Sequence, residues 1–537
     1  MTTKKDYSLY RSDLFRHLDG IVTAPAAYAL HSKGVTAHLL EHQSCTLSKL
    51  TTRFTANEGY LNVALRLLCS QGWLTQSVEL GGSDITYSVN ASSAPAFALF
   101  HLYEDVVNLQ KYSAKFHTRK FETEPFRMQE AIFNTFKNNY GLTATEDTLQ
   151  NGIQEQILKH IEGTILGPTL VHLAMGGMFH KYFMQASFKP EEFHQDADSF
   201  KILLDILSHF NLFNSQNGTY QFTEKGLFFA KRASAYGVTV SYIPTLCKLD
   251  ELLFGNPTAA KSSGDGNQEG HVDRAMNVWG SGGAHSSYFK VVDKIIIHLF
   301  NKPIEEQPKG ILDMGCGNGA FLIHLFNVIE KQTLRGTMLD EHPLILVGAD
   351  YNTAALQITK GNLVQAEIWA KVVWGDIGDP ERLAQDLQEN YGIGLGELLN
   401  VRSFLDHNRI WKTPQPREAA RISDSTGAYA FEGERKPNHL VEDSLLEHFE
   451  RWAPYVSKFG LLVIELHTVP PEIASQHIGK TAVTAYDATH GFSDQYILEV
   501  PVFYKILAEA GLHPDQRLGQ KFPDSDLASV TVNLFKK

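Results

Sequence analysis

The chain has 537 residues, enough for three or four domains at about 150 residues each, and this length excludes a single small fold. Apolar residues make up 43% and charged residues 20%, a composition typical of packed globular domains and not of disordered chains. The net charge of −12 would repel a nucleic-acid backbone, so we expect no nucleic-acid partner.

The first part of the chain, residues 1–94, predicts a winged-helix unit. From about Ile21 apolar residues recur at helical spacing. The stretch TQSVELGGSDITYSVN at 75–90 then places Gly-Gly between two alternating segments, which indicates a hairpin. Three helices followed by a hairpin are the outline of a winged helix.

A second unit of the same kind is predicted within residues 95–254, which otherwise form a helical lid. The pattern of Leu67–Leu74 recurs about 139 residues later at Ile206–Phe213, which indicates a weak internal duplication. Neither candidate recognition helix is rich in Lys or Arg, so we favour a structural or dimerising role over DNA binding.

Residues 255–290 are predicted to form a linker and hinge. The segment GNPTAAKSSGDGNQEG at 255–270 is rich in Gly, Ser, Asn and Pro. Beyond it, glycines stand beside His285 and Tyr288. This arrangement fits a hinge that closes over a ligand as well as it fits a simple connector.

The last part, residues 291–537, alternates short apolar strands with helices from Gly310 onward. Such alternation predicts an α/β fold with a doubly wound, Rossmann-like sheet that carries helices on both faces. In this architecture ligands bind at the carboxyl ends of the strands.

Three of these strand ends predict a cofactor site. The first strand leads into a loop with glycines at 315, 317 and 319, which permit a sharp turn and a close approach of ligand to backbone. Asp350 ends the next strand, where its carboxylate can bind ribose hydroxyls, and Asp376 follows the third, where it suits an adenine amine. The predicted cofactor-binding residues are Tyr288, Asp313, Gly315, Cys316, Gly317, Asn318, Gly319, Asp350, Tyr351, Asp376 and Ile377.

The glycine loop also satisfies the relaxed dinucleotide fingerprint. Asp313, just before the loop, would oppose a pyrophosphate. S-adenosylmethionine carries an ammonium, a sulfonium and no phosphate, so we expect it as the cofactor.

These motifs resemble those of class I S-adenosylmethionine-dependent methyltransferases from about Gly310 to the end of the chain. The helical front is similar to the dimerisation or lid regions of natural-product methyltransferases. More narrowly, four segments resemble the methyltransferase domains of polyketide synthase loading modules, as in the apratoxin assembly line: RAMNVWGSGGAHSSYF, TLRGTMLDEHPL, RSFLDHNR and YDATHGFSDQY. This resemblance implies iron-dependent carbon methylation of a malonyl group on an acyl carrier protein.

Polar residues at the ends of the fourth and fifth strands are the candidates for acceptor chemistry. We predict catalytic roles for Asp406, His407, Arg409 and His467. Arg402 and Arg409 could bind a substrate carboxylate as planar forks, although arginine at a strand end is also a common ion-pair residue. His407 is the candidate general base for an oxygen acceptor.

A metal would suit a carbon acceptor, because deprotonation next to a carbonyl puts charge on oxygen that a Lewis acid stabilises. We predict His490 and Gln495 as ligands of an iron or manganese ion. The competing ligands are Asp406, His407, Glu465 and His467. The alternative is that no metal binds, since a histidine in a polar loop is more often a surface or substrate-positioning residue than a metal ligand.

The leading hypothesis is therefore carbon methylation of a carrier-bound malonyl group, in a polyketide or natural-product pathway. A small-molecule O-methyltransferase and a non-catalytic methyltransferase-like adaptor remain alternatives. Four scattered cysteines, the absence of a recognisable secretion signal and the absence of a long apolar run predict a cytoplasmic protein without a membrane partner. We expect a monomer or a homodimer.

Overall fold

A computed structural model describes residues 6–78, 84–112, 123–258, 270–419 and 421–537, with the backbone alone at 123–125 and 283–287. The chain divides into two compact units. The first comprises Met1–Ala284, Ala428–Lys436 and Pro470–Asp494, and the second His285–Gly427, Pro437–Val469 and Gln495–Lys537. Residues 259–269 of the predicted linker and the side chain of His285 lie outside the described residues. The predicted domain boundaries at 94, 254 and 290 stay predictions.

The strands of the described residues are numbered here in chain order. They are β1 Ser44–Thr46, β2 Thr75–Val78, β3 Ile85–Ser88, β4 Phe213–Gln216, β5 Thr219–Phe222, β6 Gly310–Met314, β7 Ile345–Asp350, β8 Lys371–Trp374, β9 Leu398–Ser403, β10 Ala430–Phe431, β11 Glu434–Arg435, β12 Leu461–Thr468, β13 Leu498–Glu499, β14 His513–Pro514, β15 Gln520–Phe522 and β16 Val530–Lys536.

The α-helices fall mostly in the first unit and in the connections between strands of the second. They span Ser8–Ser32, Val35–His42, Leu47–Phe54, Glu58–Ser70, Ser93–Phe97, Glu104–Gln110, Thr123–Phe136, Thr148–Met175, Lys181–Gln185, Ala197–His209, Glu224–Ala230, Ser234–Ser241, Ile243–Leu246, Leu249–Phe254, Arg274–Phe300, Ala320–Gln332, Thr353–Gln365, Pro380–Tyr391, Asn438–Val456, Pro471–Ser475, Val483–Gly491 and Val500–Glu509. No helix among the described residues is both long enough and apolar enough to span a bilayer.

Two hairpins in the first unit have the predicted winged-helix context. Strands β1, β3 and β2 form an antiparallel sheet next to the helices Leu47–Phe54 and Glu58–Ser70. Strands β4 and β5 pair after the helix Ala197–His209. The tip of the first hairpin, residues 79–83, lies outside the described residues. These pairings confirm the predicted helical region with winged-helix-like units.

Two long helices, Ser8–Ser32 and Thr148–Met175, form the centre of the first unit. A Cβ atom at Gly20 would lie 2.3 Å from the Cα of His160, and one at Gly163 would lie 2.4 Å from the Cα of His17. Only glycine allows two backbones to approach this closely. The crossing buries apolar side chains from both helices, so this pair is the core of the unit.

Two segments that are distant in sequence complete the first unit. Arg66 of the helix Glu58–Ser70 pairs with Asp487, with 3.1 Å between Nε and Oδ2 and side-chain exposures of 2% and 5%. Tyr60 donates its hydroxyl to Asp494 at 2.8 Å, and the backbone N–H of Gly59 donates to the carbonyl of Gly433 at 2.9 Å. The first unit is therefore built partly from residues beyond position 427.

The second unit contains the predicted Rossmann-like sheet, with strand order β14-β16-β12-β9-β6-β7-β8. Strands β12, β9, β6, β7 and β8 are parallel, whereas β16 is antiparallel to β12 and also pairs with β15 in an antiparallel hairpin. The carboxyl ends of the parallel strands share one edge. Every predicted cofactor residue from Asp313 to Ile377 follows or ends one of these strands.

The glycine-containing segment predicted as a hinge is helical. It forms the first half of Arg274–Phe300. A Cβ atom at Gly280 would lie 2.5 Å from the backbone nitrogen of Val238, so this glycine serves a close contact with the helix Ser234–Ser241.

Candidate functional site

The loop between β6 and the helix Ala320–Gln332 forms a backbone cradle. Gly315 and Gly319 have φ angles of 78° and 79°, in the left-handed region that favours glycine. The hydroxyl of Thr359 donates to the carbonyl of Gly317 at 2.7 Å, and the amide of Asn362 donates to the carbonyl of Asn318 at 2.8 Å. The next helix along the chain thus holds the loop in place for a ligand that contacts main chain.

Asp313 is the electrostatic centre of this loop. The residue is 2% exposed, and its Oδ2 atom has no hydrogen-bond partner among the described residues. Burial, reinforced by the charge of Asp350, raises the pKa of Asp313 to about 7. A buried carboxyl oxygen without a partner is costly to ionise, and a cationic ligand would supply the missing partner. The site therefore fits the ammonium and sulfonium of S-adenosylmethionine.

Asp350 joins the loop to the end of β7. Its Oδ2 accepts the backbone N–H of Gly317 at 2.9 Å, and its Oδ1 accepts that of Asn352 at 2.8 Å. Cys316 turns its thiol away, 3.6 Å from the Thr359 hydroxyl, and burial raises its pKa to about 12. The thiol is therefore protonated and inert, and only the backbone of Cys316 is suited to contact a ligand.

The remaining cofactor candidates lie around the ends of β7 and β8. Asp376 accepts the backbone N–H of Gly378 at 2.7 Å, and the Ile377 carbonyl accepts the indole N–H of Trp452 at 2.7 Å. The side chain of Tyr351 is 59% exposed. Tyr288 packs instead against aromatic rings of its own unit, 6.0 Å from Phe404 and 5.0 Å from Phe522 between centroids.

A histidine and a carboxylate form a dyad where β9 and β12 end. The Nδ1 atom of His407 lies 2.5 Å from Oε1 of Glu465, and the side chains are 6% and 2% exposed. The backbone N–H groups of Leu466 and His407 also donate to this carboxylate, at 2.7 and 3.3 Å. Glu465 therefore holds the imidazole in one tautomer, with Nδ1 protonated, and proton exchange falls to Nε2.

Asp406 belongs to a separate buried cluster. Its Oδ1 lies 2.5 Å from Nη1 of Arg402 and 2.8 Å from Nε2 of His448. Burial opposes ionisation, but the Arg402 charge and the hydrogen bond from His448 hold the pKa of Asp406 at about 2. The Arg402 guanidinium stacks 4.0 Å from the Trp452 ring. These contacts favour a structural ion pair over the catalytic role and the substrate-carboxylate fork that the sequence indicated.

Arg409 and His467 are also buried and form hydrogen bonds within the second unit. Arg409 donates to the carbonyls of Asp406 and Val441, both at 3.1 Å. His467 contacts the carbonyl of Leu498 at 3.1 Å and the hydroxyl of Thr531 at 2.8 Å, one with each ring nitrogen. Burial lowers the pKa of His467 to about 3, so the ring stays neutral. Both residues hold strands and loops together, and their catalytic roles stay predictions.

The first predicted metal ligand, His490, lies in the helix Val483–Gly491 of the first unit. Its Nδ1 is 2.8 Å from the carbonyl oxygen of Tyr486, and its ring is 6.3 Å from that of Tyr242. The ring is therefore held in a defined orientation inside its unit.

The second predicted ligand, Gln495, opens the last segment of the second unit and is 8% exposed. The next residue, Tyr496, donates its backbone N–H to the carbonyl of His407 at 2.8 Å, which ties this segment to the dyad.

Across the described ranges, the His, Cys, Asp and Glu side chains form one three-ligand group, at His38, Glu41 and His42, which includes none of the predicted ligands. The catalytic metal therefore stays a prediction from the resemblance.

From the sequence Glu465 is a candidate metal ligand, whereas in the structure it is the orienting partner of His407. Its position two residues before His467, at the carboxyl end of a buried strand, was the available signal. The contacts of His448 and Trp452 could not be predicted from the sequence, because no motif marks these residues within the helix Asn438–Val456.

Three family models match the chain. A model described as the AprA MT2-like domain matches residues 269–533, one described as the AprA N-terminal domain matches 10–76, and one described as the AprA winged helix domain matches 162–256. These matches confirm the family resemblance inferred from the sequence and the second winged-helix unit. No curated protein matches the chain.

Solved structures that the chain resembles include several methyltransferases. The mitomycin 7-O-methyltransferase MmcR is 10% identical, with a TM-score of 0.41, over 73% of this chain and 100% of its own. An O-methyltransferase family 2 protein from Planctomyces limnophilus, in complex with apigenin, is 12% identical, with a TM-score of 0.39, over 100% and 98%. The DszA carbon methyltransferase is 12% identical, with a TM-score of 0.29, over 68% and 87%. Similarity at this level carries no argument about substrate.

Proposed function

Because the chain belongs to the AprA MT2-like family of S-adenosylmethionine-dependent methyltransferases, we propose that it methylates an activated carbon of a malonyl-type acyl group on an acyl carrier protein, in polyketide or natural-product biosynthesis. The observation that carries the proposal is the dyad of His407 and Glu465 at the carboxyl ends of β9 and β12. It supplies a proton acceptor at the edge of the sheet that also carries the cofactor loop.

The dyad suits the proton transfer that carbon methylation requires. Nε2 of His407 removes the proton from the carbon next to the carbonyl, and the electron pair left on that carbon attacks the methyl group. The carbon–sulfur bond breaks with its electrons on sulfur, giving S-adenosylhomocysteine. Glu465 stabilises the imidazolium that forms, since its carboxylate lies 2.5 Å from Nδ1.

The cofactor loop supplies the second part of the mechanism. Asp313 at the end of β6 offers a buried carboxyl oxygen to the cationic end of the cofactor. Asp350 and Asp376 end or follow the next two strands, where they suit the ribose and adenine. Binding at three points would orient the methyl group and leave His407 to act on the acceptor.

We further propose that His490 and Gln495 are ligands of an iron or manganese ion, because imidazole nitrogen and amide oxygen are suitable donors for such ions. When bound, such an ion would act as a Lewis acid on the two oxygens of a malonyl group. The steps assigned above depend only on residues of the chain. Elemental analysis of the purified protein and of His490→Ala and Gln495→Ala tests the ion. An unchanged metal content in both variants rejects these ligands.

The function is tested by mass spectrometry of a malonyl carrier protein incubated with enzyme, S-adenosylmethionine and ferrous iron. We expect the carrier protein to gain the mass of about one methyl group. The variant His407→Ala should show no gain, although its cofactor loop is intact. His513→Ala, at an exposed position on the edge strand β14, is the matched control and should remain active.

No methyl gain on the carrier protein, under conditions in which a phenol or alcohol is methylated, would replace this proposal with O-methylation. The dyad serves a hydroxyl acceptor by the same proton transfer. If His407→Ala then fails to methylate the oxygen acceptor, the proposed role of the dyad stands and only the proposed substrate changes.

A further inference from the structure

A second group of side chains with metal-ligand chemistry lies on the first unit, outside the cofactor loop and the dyad. His38, Glu41 and His42 belong to the helix Val35–His42. One ring nitrogen of each histidine and one carboxylate oxygen of Glu41 all lie within 4.8 Å of one another. In a helix, positions separated by three and four residues share one face, so the backbone itself brings these three groups together.

The local contacts orient the rings towards each other. The ring centroids of His38 and His42 are 4.0 Å apart. The Nδ1 atom of His42 lies 3.0 Å from the carbonyl oxygen of His38 and 3.9 Å from Oε2 of Glu41. The edge of Phe54 packs against His38 at 5.6 Å between centroids, so one of the two imidazoles is supported by an apolar neighbour. A hydrogen bond to one ring nitrogen is the usual way in which proteins orient a metal-binding imidazole.

We propose that His38, Glu41 and His42 bind a divalent first-row transition ion, of the type represented by Zn²⁺. Two imidazoles and one carboxylate are donors that this class of ion prefers over Mg²⁺ and Ca²⁺. Metal–ligand bonds of about 2.1 Å require the three atoms to move together by about 1 Å, which exposed side chains can do: His42 is 49% and Glu41 77% exposed. Water completes the coordination.

The site is placed where an ion would brace a secondary-structure junction. The helix ends at His42, and the next residue, Gln43, has a φ of 63° and leads into β1. The carbonyl of Gln43 accepts the backbone N–H of Val89, just after β3. An ion across the last helical turn therefore stabilises the point where the winged-helix sheet begins. The inference is independent of the methyl-transfer chemistry proposed above.

Isothermal titration of the metal-free full chain with Zn²⁺ tests the site. We expect saturable binding whose affinity falls at least about tenfold in His38→Ala and in His42→Ala. His477→Ala is the matched control, because its Nδ1 also lies 2.9 Å from the carbonyl four residues earlier, at Ile473, but no second histidine or carboxylate joins it in a ligand group among the described residues. Unchanged Zn²⁺ binding in the double variant His38→Ala/His42→Ala overturns the proposal.

Two further readouts separate this site from other bound metal and from misfolding. Electron paramagnetic resonance of the Cu²⁺-loaded chain should show two coordinating imidazole nitrogens, reduced to one in either single variant. The circular dichroism spectrum and the methyl-transfer rate should stay at the wild-type level in both variants. A Cu²⁺ spectrum that is identical in wild type and His42→Ala also rejects the assignment.

Discussion

The proposed pairing of Asp313 with the cationic end of the cofactor predicts that cofactor binding depends on pH. Its pKa of about 7 means that the cofactor, which needs the ionised form, must displace a proton at lower pH. If the bound state is fully ionised, the apparent Kd is about twice its limiting value at pH 7 and about 11 times that value at pH 6. About 0.9 protons are then released per binding event at pH 6 and about 0.1 at pH 8.

Isothermal titration with S-adenosylhomocysteine at pH 6, 7 and 8, in buffers of different ionisation enthalpy, measures both quantities. In Asp313→Asn we expect weak binding with no dependence on pH in this range. Asp524→Asn, at an exposed position of the second unit, should behave as wild type. Proton release that stays constant between pH 6 and 8, or that persists in Asp313→Asn, would refute the assignment of Asp313 to the cationic end of the cofactor.

The raised pKa of Asp313 also makes the unfolding free energy of the unliganded protein depend on pH. The folded state holds the Asp313 proton up to about pH 7, whereas the unfolded chain loses it near pH 4. The unfolding free energy therefore declines as pH rises from about 4 to 7 and is level above that range. The full decline is at most about 4 kcal/mol, from about three pKa units at 1.36 kcal/mol each. Asp313→Asn should remove this decline in urea titrations of the unliganded protein.

Three further substitutions test other parts of the molecule. Glu465→Gln removes the charge that orients His407, so we expect kcat to fall about 100-fold with the Kd of S-adenosylhomocysteine unchanged; a wild-type rate contradicts the dyad. Gly319→Ala places a side chain on a residue whose φ is 79°, which costs about 1–2 kcal/mol. We expect calorimetry to show roughly tenfold weaker cofactor binding. Wild-type affinity would show that the loop tolerates a side chain at this position. Arg66→Met removes the guanidinium that pairs with the buried carboxylate of Asp487, which should lower the unfolding free energy by about 3–5 kcal/mol in urea. A shift below about 1 kcal/mol would mean that the pair is solvated.

The second unit was predictable because its signals are local. Short apolar runs that end in Asp313, Asp350 and Asp376, with glycines after the first, define parallel strands and their functional edge without knowledge of tertiary contacts. In the structure these strands end at Met314, Asp350 and Trp374, each at or within two residues of the corresponding aspartate. The roles of side chains beyond these strands were less accessible, since they depend on partners from other elements.

Asp406 and the glycines near residue 280 illustrate this limit. The motif around Asp406 is polar and follows a strand, yet its partner His448 lies 42 residues later in a helix that no motif marks. The glycines near residue 280 predict a hinge because isolated glycine favours backbone flexibility. In the structure Gly280 allows a close helix contact with Gly237, a requirement that only tertiary packing creates.

The first unit includes late segments of the chain, and this arrangement affects how the protein folds during synthesis. Its core includes Ala485, Ala488 and Phe492, all at or near zero exposure, beside residues of the opening helices. A ribosome-bound chain that ends before Ala485 lacks these three side chains, so the unit cannot complete its core in simple N-to-C order. The intervening sheet strands emerge first, and the amino-terminal helices must wait in a partly assembled state. Fragments that separate the helical front from the sheet at a single cut would leave each part with exposed apolar surface.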